Sequence, residues 1–315
     1  MAEAKPPAAA HGVARTALLV AAARAIETHR ADALAADPYA EHFVHAEPTC
    51  ADWPLRPERV AGGEADPLWG RLGRYFGLRT RVVDDFLLGA ARAGVRQVVL
   101  LGAGLDTRAH RLPWPAGRTV YELDRRPVLA FKARVHAALP PSAPAPDERA
   151  RRVAVPVDLA GPWESALTDA GFDPGRPTAW LAEGLLLYLP EAAERRLVDT
   201  VDRLSAPGSA FFYEIKRPEP PEVRADAMYT RAVRDAGVDL LALFAPGPRP
   251  DSVADLVARG WSATAHSPFT FARRHGRGPR EIPHDPLAAN RWVLAHRSRS
   301  ESRGPSAAGR PAAPG

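Results

Sequence analysis

The sequence predicts an α/β protein: an open, mostly parallel sheet with helices on both faces. Two observations predict it. From Arg96 onward, short β-rich runs alternate with helical stretches at the spacing of strand–helix–strand units. The first of these runs, VVLLGAGLDTRAHRL (residues 98–112), passes from an apolar stretch into two glycines two apart, as a nucleotide-type turn after a first strand does.

The elements follow in order. Residues 1–11 are rich in Ala and Pro and residues 298–315 in Ser, Arg, Gly and Pro, so both ends are expected to be disordered. Between residues 12 and 94 the spacing is helical in RTALLVAAARAIETHRADALAAD and again in RYFGLRTRVVDDFLLGAARAG, with a Pro/Gly-broken stretch between them. Residues 12–95 are therefore expected to be helical and residues 96–297 to form the alternating α/β part. Strands are expected at 96–102, 118–124, 150–158, 177–183, 208–215, 261–267 and 290–297, the last two as an antiparallel edge. A short helix follows the first strand, longer ones fall at 125–139 and 190–205, and further helices near 222–236 and 250–259.

Composition narrows the function classes. The 315-residue chain is 46% hydrophobic, an ordinary fraction for a protein with a sizeable core. No apolar run approaches the roughly 18 residues of a membrane span, and the N-terminus lacks the basic start and apolar centre of a signal peptide. Cys50 is the single cysteine, which rules out an intramolecular disulfide and a Cys-rich zinc site. A cytoplasmic protein is the expectation. The formal charge is +5, but residues 297–315 hold four arginines and one glutamate, and the rest is near balance. Without a dense basic face or interleaved aromatics, nucleic acid is not an expected partner.

Ligands of such sheets sit beyond the carboxyl ends of the strands, so the residues delivered there are the candidates. The first strand delivers Gly102, Ala103, Gly104, Leu105, Asp106 and Thr107. A pyrophosphate fingerprint wants a third glycine where Thr107 stands, and Asp106 would repel phosphate, although Arg108 and Arg111 keep a dinucleotide reading open. The second strand ends in YELD, bringing Glu122 and Asp124; Asp124 lies 20 residues after Gly104, where an acid accepts bonds from ribose hydroxyls. The third delivers Asp158-Leu159, an acid and an apolar side chain suited to an adenine amino group and its flat face. The fourth delivers Glu183 from an apolar run, where an unpaired carboxylate would be costly and a partner is expected.

Arg79, Val82, Val83 and Phe86 occupy i, i+3, i+4 and i+7, which places the arginine on an apolar stripe and calls for an anion. Acids near a sugar and a base, plus a cation for a carboxylate, suit S-adenosyl-L-methionine better than a nicotinamide dinucleotide. Tyr188, Tyr213 and Glu214 lie near strand ends and are candidates for the acceptor pocket, with residues 217–250 and the cap. No metal-spaced cluster, HExxH or GxSxG is present, and His110 and His136 are read as packing residues and not as bases.

In this order, DPYAEHF, RTRVVDDFL, VVLLGAGLDTRAHRLPWP, VYELD, VPVDL, PTAWLAEGLLLYL and FYEI resemble the leucine carboxyl methyltransferase family, most closely its actinobacterial branch of S-adenosyl-L-methionine-dependent methyltransferases. The likeness spans roughly residues 12–296. It implies a class I, Rossmann-like methyltransferase: a seven-stranded, mostly parallel sheet with an antiparallel last strand, which makes residues 96–297 the core, and an N-terminal helical cap, residues 12–95. It also implies that Arg79 holds the methionyl carboxylate and that Gly102 lines the cofactor cleft. Asp124 would bind the ribose, Asp158 and Leu159 the adenine, and Glu183 would stand by the methionyl end. The family's eukaryotic enzymes carry Glu-Cys where this chain has Glu183-Gly184, and their cofactor-contacting lysine has no evident counterpart. Both departures point away from protein phosphatase methylation as the activity. The likeness to the bacterial branch implies a small-molecule acceptor, with carboxyl and hydroxyl groups of polyketide-type metabolites among the candidates. Two other readings stay open at this point: an NAD(P)-dependent oxidoreductase, and a non-catalytic binding protein with a methyltransferase fold.

Overall fold

The structure, a computed structural model, describes residues 8–298, with side chains from residue 15. The expected disordered ends fall almost wholly outside the described residues; residues 8–11 do not, and they belong to the first helix.

That helix, α1 (Ala8–Thr28), is rich in Ala and Leu, and Leu19, Ala22, Ala23 and Ile26 are buried. It packs on α2 (Ala40–His45) and on the long helix α3 (Gly73–Arg92). A wide helical turn, Pro67–Leu72, leads into α3, and the Asp66 carboxylate caps it by accepting from the amides of Leu68 and Trp69 at 3.0 and 2.7 Å. Gly94, at φ +99°, ends α3 in the left-handed conformation that glycine tolerates and turns the chain into the sheet.

The strands are β1 (Gln97–Leu101), β2 (Arg118–Asp124), β3 (Ala150–Pro156), β4 (Thr178–Ala182), β5 (Ala210–Lys216), β6 (Trp261–His266) and β7 (Asn290–Arg297). Between them run α4 (Arg108–Arg111), α5 (Arg126–Ala137), α6 (Glu164–Asp169) and α7 (Glu191–Arg203). After β5 come α8 (Pro221–Arg224), α9 (Ala227–Ala236), α10 (Leu240–Leu243) and α11 (Ser252–Ala258), and α12 (Pro268–His275) follows β6. The strand order is β3-β2-β1-β4-β5-β7-β6. Strands β1 to β5 pair in parallel, and β7 enters antiparallel between β5 and β6. The fold is thus the α/β class read from the sequence, and the last two strands form the expected antiparallel edge. β6 is outermost and β7 is covered on both sides, which suits its buried Trp292, Val293 and Ala295.

Alternation along the strands divides the core. Val98 and Leu100 of β1 and Phe212 of β5 face the side covered by α1 and α3; Val99, Leu101, Phe211 and Tyr213 face the side covered by α7 and α11. The N-terminal helices therefore share a core with the sheet. The helix expected across 222–236 is broken at Ala225-Asp226, where the Asp226 carboxylate caps α9 through the Met228 amide at 2.8 Å.

Candidate active site

A cavity of about 860 Å³ lies beyond the carboxyl ends of β1, β2, β4 and β5, roofed by α1 and α3 and walled by the segment after β5. Of the sequence candidates, Arg79, Gly102, Ala103, Gly104, Asp106, Asp124, Asp158, Leu159, Glu183, Tyr188 and Glu214 all line it. The side chains of Glu122 and Tyr213 do not.

At the turn after β1 four of the backbone amides are already engaged. Gly102 and Ala103 both donate to the Leu123 carbonyl at 2.9 Å, Gly104 to the Asp124 carboxylate at 2.7 Å, and Asp106 to the Ala103 carbonyl at 2.8 Å. Such a turn has no spare row of N–H groups for a pyrophosphate. Gly102 (φ +69°) takes the left-handed conformation that favours glycine, and a Cβ there would also press on Leu185 Cδ1 at 3.0 Å. The other Asp124 oxygen accepts from the Arg125 amide at 2.7 Å. Burial raises the Asp124 pKa, and those two amides offset only part of the effect. Each of its oxygens keeps lone-pair capacity for a hydroxyl donor. Asp158 accepts from the Ala160 amide at 2.9 Å beside buried Leu159.

The opposite wall is an ion cluster. The Arg79 guanidinium is 2.8 Å from Glu183 through Nε and donates to Glu214 through Nη1 at 2.7 Å, with its plane 4.7 Å over the Phe76 ring. Arg108, 1% exposed, reaches three carboxylates: Asp84 at 2.6 Å, Glu183 at 2.6 Å and Asp106. Arg111 closes on Asp84 with two bonds of 2.7 Å. Glu214 also accepts from the Tyr75 hydroxyl and from Trp292 Nε1. Burial works against these charges, yet the arginines hold Asp106 down at about 2 and keep Glu183 below the usual carboxylate range. The partner expected for Glu183 is therefore a pair, Arg79 and Arg108. Four carboxylates against three guanidiniums leave one negative charge in excess.

Sequence reasoning placed two residues in the site that the fold places elsewhere. Glu122 sits deeper along β2 than Asp124, wholly buried, and its carboxylate takes Lys132 Nζ at 2.8 Å and Arg152 at 2.7 Å. Tyr213 faces the far side of the sheet, stacked on Phe211 at 4.6 Å, because one step along a strand reverses the side chain. The reading also missed Arg108. It took Arg108 and Arg111 as possible phosphate ligands, but both turn inward to carboxylates, which removes the cations a dinucleotide would need. Tyr75, one turn before Arg79 on the same helix face, and Asp84, five residues after it, were passed over; the four-residue spacing of Tyr75 was the one available signal. His110 and His136 pack ring to ring at 4.2 Å beneath Tyr39 and Phe43, away from the cavity.

Residues 17–202 match the family model for leucine carboxyl methyltransferase, more than half of the chain. The chain belongs to the leucine carboxyl methyltransferase family. A Streptomyces coelicolor protein named "Putative S-adenosyl-L-methionine-dependent methyltransferase" is 58% identical over 290 residues, covering 91% of this chain and 94% of the relative. A Mycobacteroides abscessus protein of the same name is 43% identical over 278 residues, covering 86% of each. Among solved structures, a DUF574 family protein from Streptomyces avermitilis aligns with a TM-score of 0.47 at 17% identity, over 85% of this chain and 100% of its own. So distant a likeness says nothing about activity.

The residues fit the family's cofactor. Asp124 and Asp158 offer acceptors to a ribose and an adenine amino group, and the glycine turn leaves room for close approach. The excess negative charge of the Arg79 cluster complements a molecule that bears a sulfonium and an ammonium against one carboxylate.

Proposed function

We propose that the protein methylates an oxygen, carboxyl or hydroxyl, of a small and largely apolar molecule of the polyketide type. It is an S-adenosyl-L-methionine-dependent methyltransferase, as its family and curated relatives are. The observation that carries the reading is the division of one cavity into an ionic end and an apolar, aromatic end. Asp124, Asp158 and Leu159 hold the adenosine, while Arg79 meets the methionyl carboxylate and Glu183 stands beside it. Bound there, the cofactor supplies a methyl carbon activated by its sulfonium.

The chain's own residues then have to position the acceptor and exclude water. The helical residues 12–95 act as the cap over the acceptor end, where Leu72, Met228, Leu240 and Phe244 line the wall with Tyr188. Burial pushes the Tyr188 phenol up to about 12, so it stays protonated at neutral pH and serves as a donor and packing surface, not as a base. Glu214 is committed to Arg79, Tyr75 and Trp292. A carboxylate acceptor, already ionised, suits a site without a general base. No helix among the described residues is long and apolar enough to cross a membrane, and a cytoplasmic enzyme without nucleic-acid partners is the setting we propose.

Transfer of label from methyl-labelled S-adenosyl-L-methionine to a panel of aromatic and aliphatic acids and phenols tests this. Label should appear in an organic-soluble product, base-labile for an ester and base-stable for an ether. Binding of S-adenosyl-L-homocysteine without any transfer would instead support a non-catalytic protein on a methyltransferase fold.

A further inference from the structure

The apolar end of the cavity holds a cation that the cofactor end does not use. β5 presents Glu214 and Lys216 to the same side of the sheet, two residues apart. Strand geometry sets Lys216 about 7 Å beyond Glu214, away from the Arg79 cluster. Of the chain's three lysines, Lys5 lies outside the described residues and Lys132 is locked to Glu122, so Lys216 alone stands on the cavity wall.

Its surroundings are aromatic. Nζ lies 5.2 Å from the Phe244 ring centre and 5.9 Å from that of Tyr229, and Phe244 stacks on Tyr188 at 6.2 Å. Its carboxylate partner is Glu219 at 2.6 Å, whose oxygens also accept from the Tyr229 hydroxyl at 2.7 and 2.8 Å. The second contact of Nζ is long, 3.5 Å to the Pro286 carbonyl. An ammonium carries three donors. One of them has no hydrogen-bond partner among the described residues. Burial lowers the Lys216 pKa, and Glu219 works against that to keep the charge.

We propose that Lys216 binds the carboxylate of the methyl acceptor, a planar and largely apolar acid whose ring packs among Tyr188, Tyr229 and Phe244. The inference rests on the methyltransferase reading above and adds the substrate class. One carboxylate oxygen accepts from Nζ, and the other attacks the methyl carbon. The C–O bond forms as the C–S bond breaks, its electron pair goes to sulfur, the sulfonium becomes a neutral thioether and no proton moves. The ester has lost the charge that Lys216 recognised, so the same contact favours binding of the acid over retention of the product.

The test uses the full chain saturated with S-adenosyl-L-homocysteine, whose own binding is measured first; its failure would sink the cofactor reading, not the lysine's role. Benzoate, 3-phenylpropanoate and 2-naphthoate are then titrated, with 2-naphthamide as the uncharged match. At least one acid should bind, and 2-naphthoate should be preferred to the amide. Lys216→Met should weaken the acid about 10- to 100-fold, as expected for loss of a charge-assisted bond, with a clearly smaller loss for the amide and S-adenosyl-L-homocysteine unchanged. Because Lys216→Met leaves Glu219 unpaired, the neutral double variant Lys216→Met/Glu219→Gln guards against misfolding and should show the same loss. Lys216→Arg should retain the preference for acid over amide. Equal affinity of acid and amide for the wild type, equal acid affinity in wild type and Lys216→Met, or no binding by any of the three acids at millimolar concentration would overturn the proposal.

Discussion

The two ends of the cavity are carried by one strand, yet they are built in opposite ways. Glu214 belongs to a cluster in which Arg79, Arg108 and Arg111 are locked to four carboxylates from α3, β4, β5 and the turn after β1. Two residues on, Lys216 stands among rings with Glu219 as its single carboxylate, on a wall made of the short helices α8 to α10. A locked cluster fixes charge before a ligand arrives, which suits an invariant cofactor. A single cation in an apolar wall of short helices is more easily re-shaped, which suits the acceptor end proposed for it.

The strongest way to break this comparison is to open the cluster. Arg108→Met would leave Asp84, Asp106 and Glu183 without a shared partner, and a buried charge stripped of its partner costs about 3–5 kcal/mol. Urea or thermal unfolding should show a loss of that order, together with weakened binding of S-adenosyl-L-homocysteine. Lys132→Met sharpens the point. It leaves Glu122, equally buried but away from the cavity, with Arg152 as its remaining partner, so stability should fall while affinity measured on the folded fraction stays at the wild-type value. A parallel fall in affinity would mean that the two clusters are not separate in function.

The smallest effect concerns pH. Burial lowers the pKa of His110 to about 4 and, with His110 as neighbour, that of His136 to about 3. Unfolded, both rings bind protons near pH 6.5, so between about pH 6.5 and 4 the unfolded chain holds more protons than the folded one. Their contribution is thus present above pH 6.5 and lost as pH falls. Urea midpoints should drop from pH 7 to pH 5, less steeply in His136→Phe, while Asp106, held at about 2, keeps its charge throughout. An unchanged slope in His136→Phe would place the pH dependence elsewhere.

Much of this was legible in the sequence, for identifiable reasons. All seven strands fall where apolar runs end in acids or turns, and 118–124 and 290–297 coincide with β2 and β7 at both ends. Asp124, Asp158 and Glu183 could be read because a parallel sheet delivers its strand ends to one place. Glu122 and Tyr213 were misplaced because position near a strand end says nothing of depth or side; only the fold shows that Glu122 stops short beside Lys132 and that Tyr213 faces away from Glu214. Arg108 was hidden because four-residue α4 carries no periodicity, and its partners come from 24 and 75 residues away. Lys216 gave no signal of its own, since its neighbours Tyr229 and Phe244 arrive through three short helices whose packing follows no pattern in the chain.

Titration of S-adenosyl-L-homocysteine into the wild type and Asp124→Ala tests the central claim most directly. The wild type should bind one equivalent, and Asp124→Ala, which removes the acceptor for the ribose hydroxyls, should bind about 10- to 100-fold more weakly at little cost in folding. No binding by the wild type at millimolar concentration, or wild-type affinity in Asp124→Ala, would contradict the account.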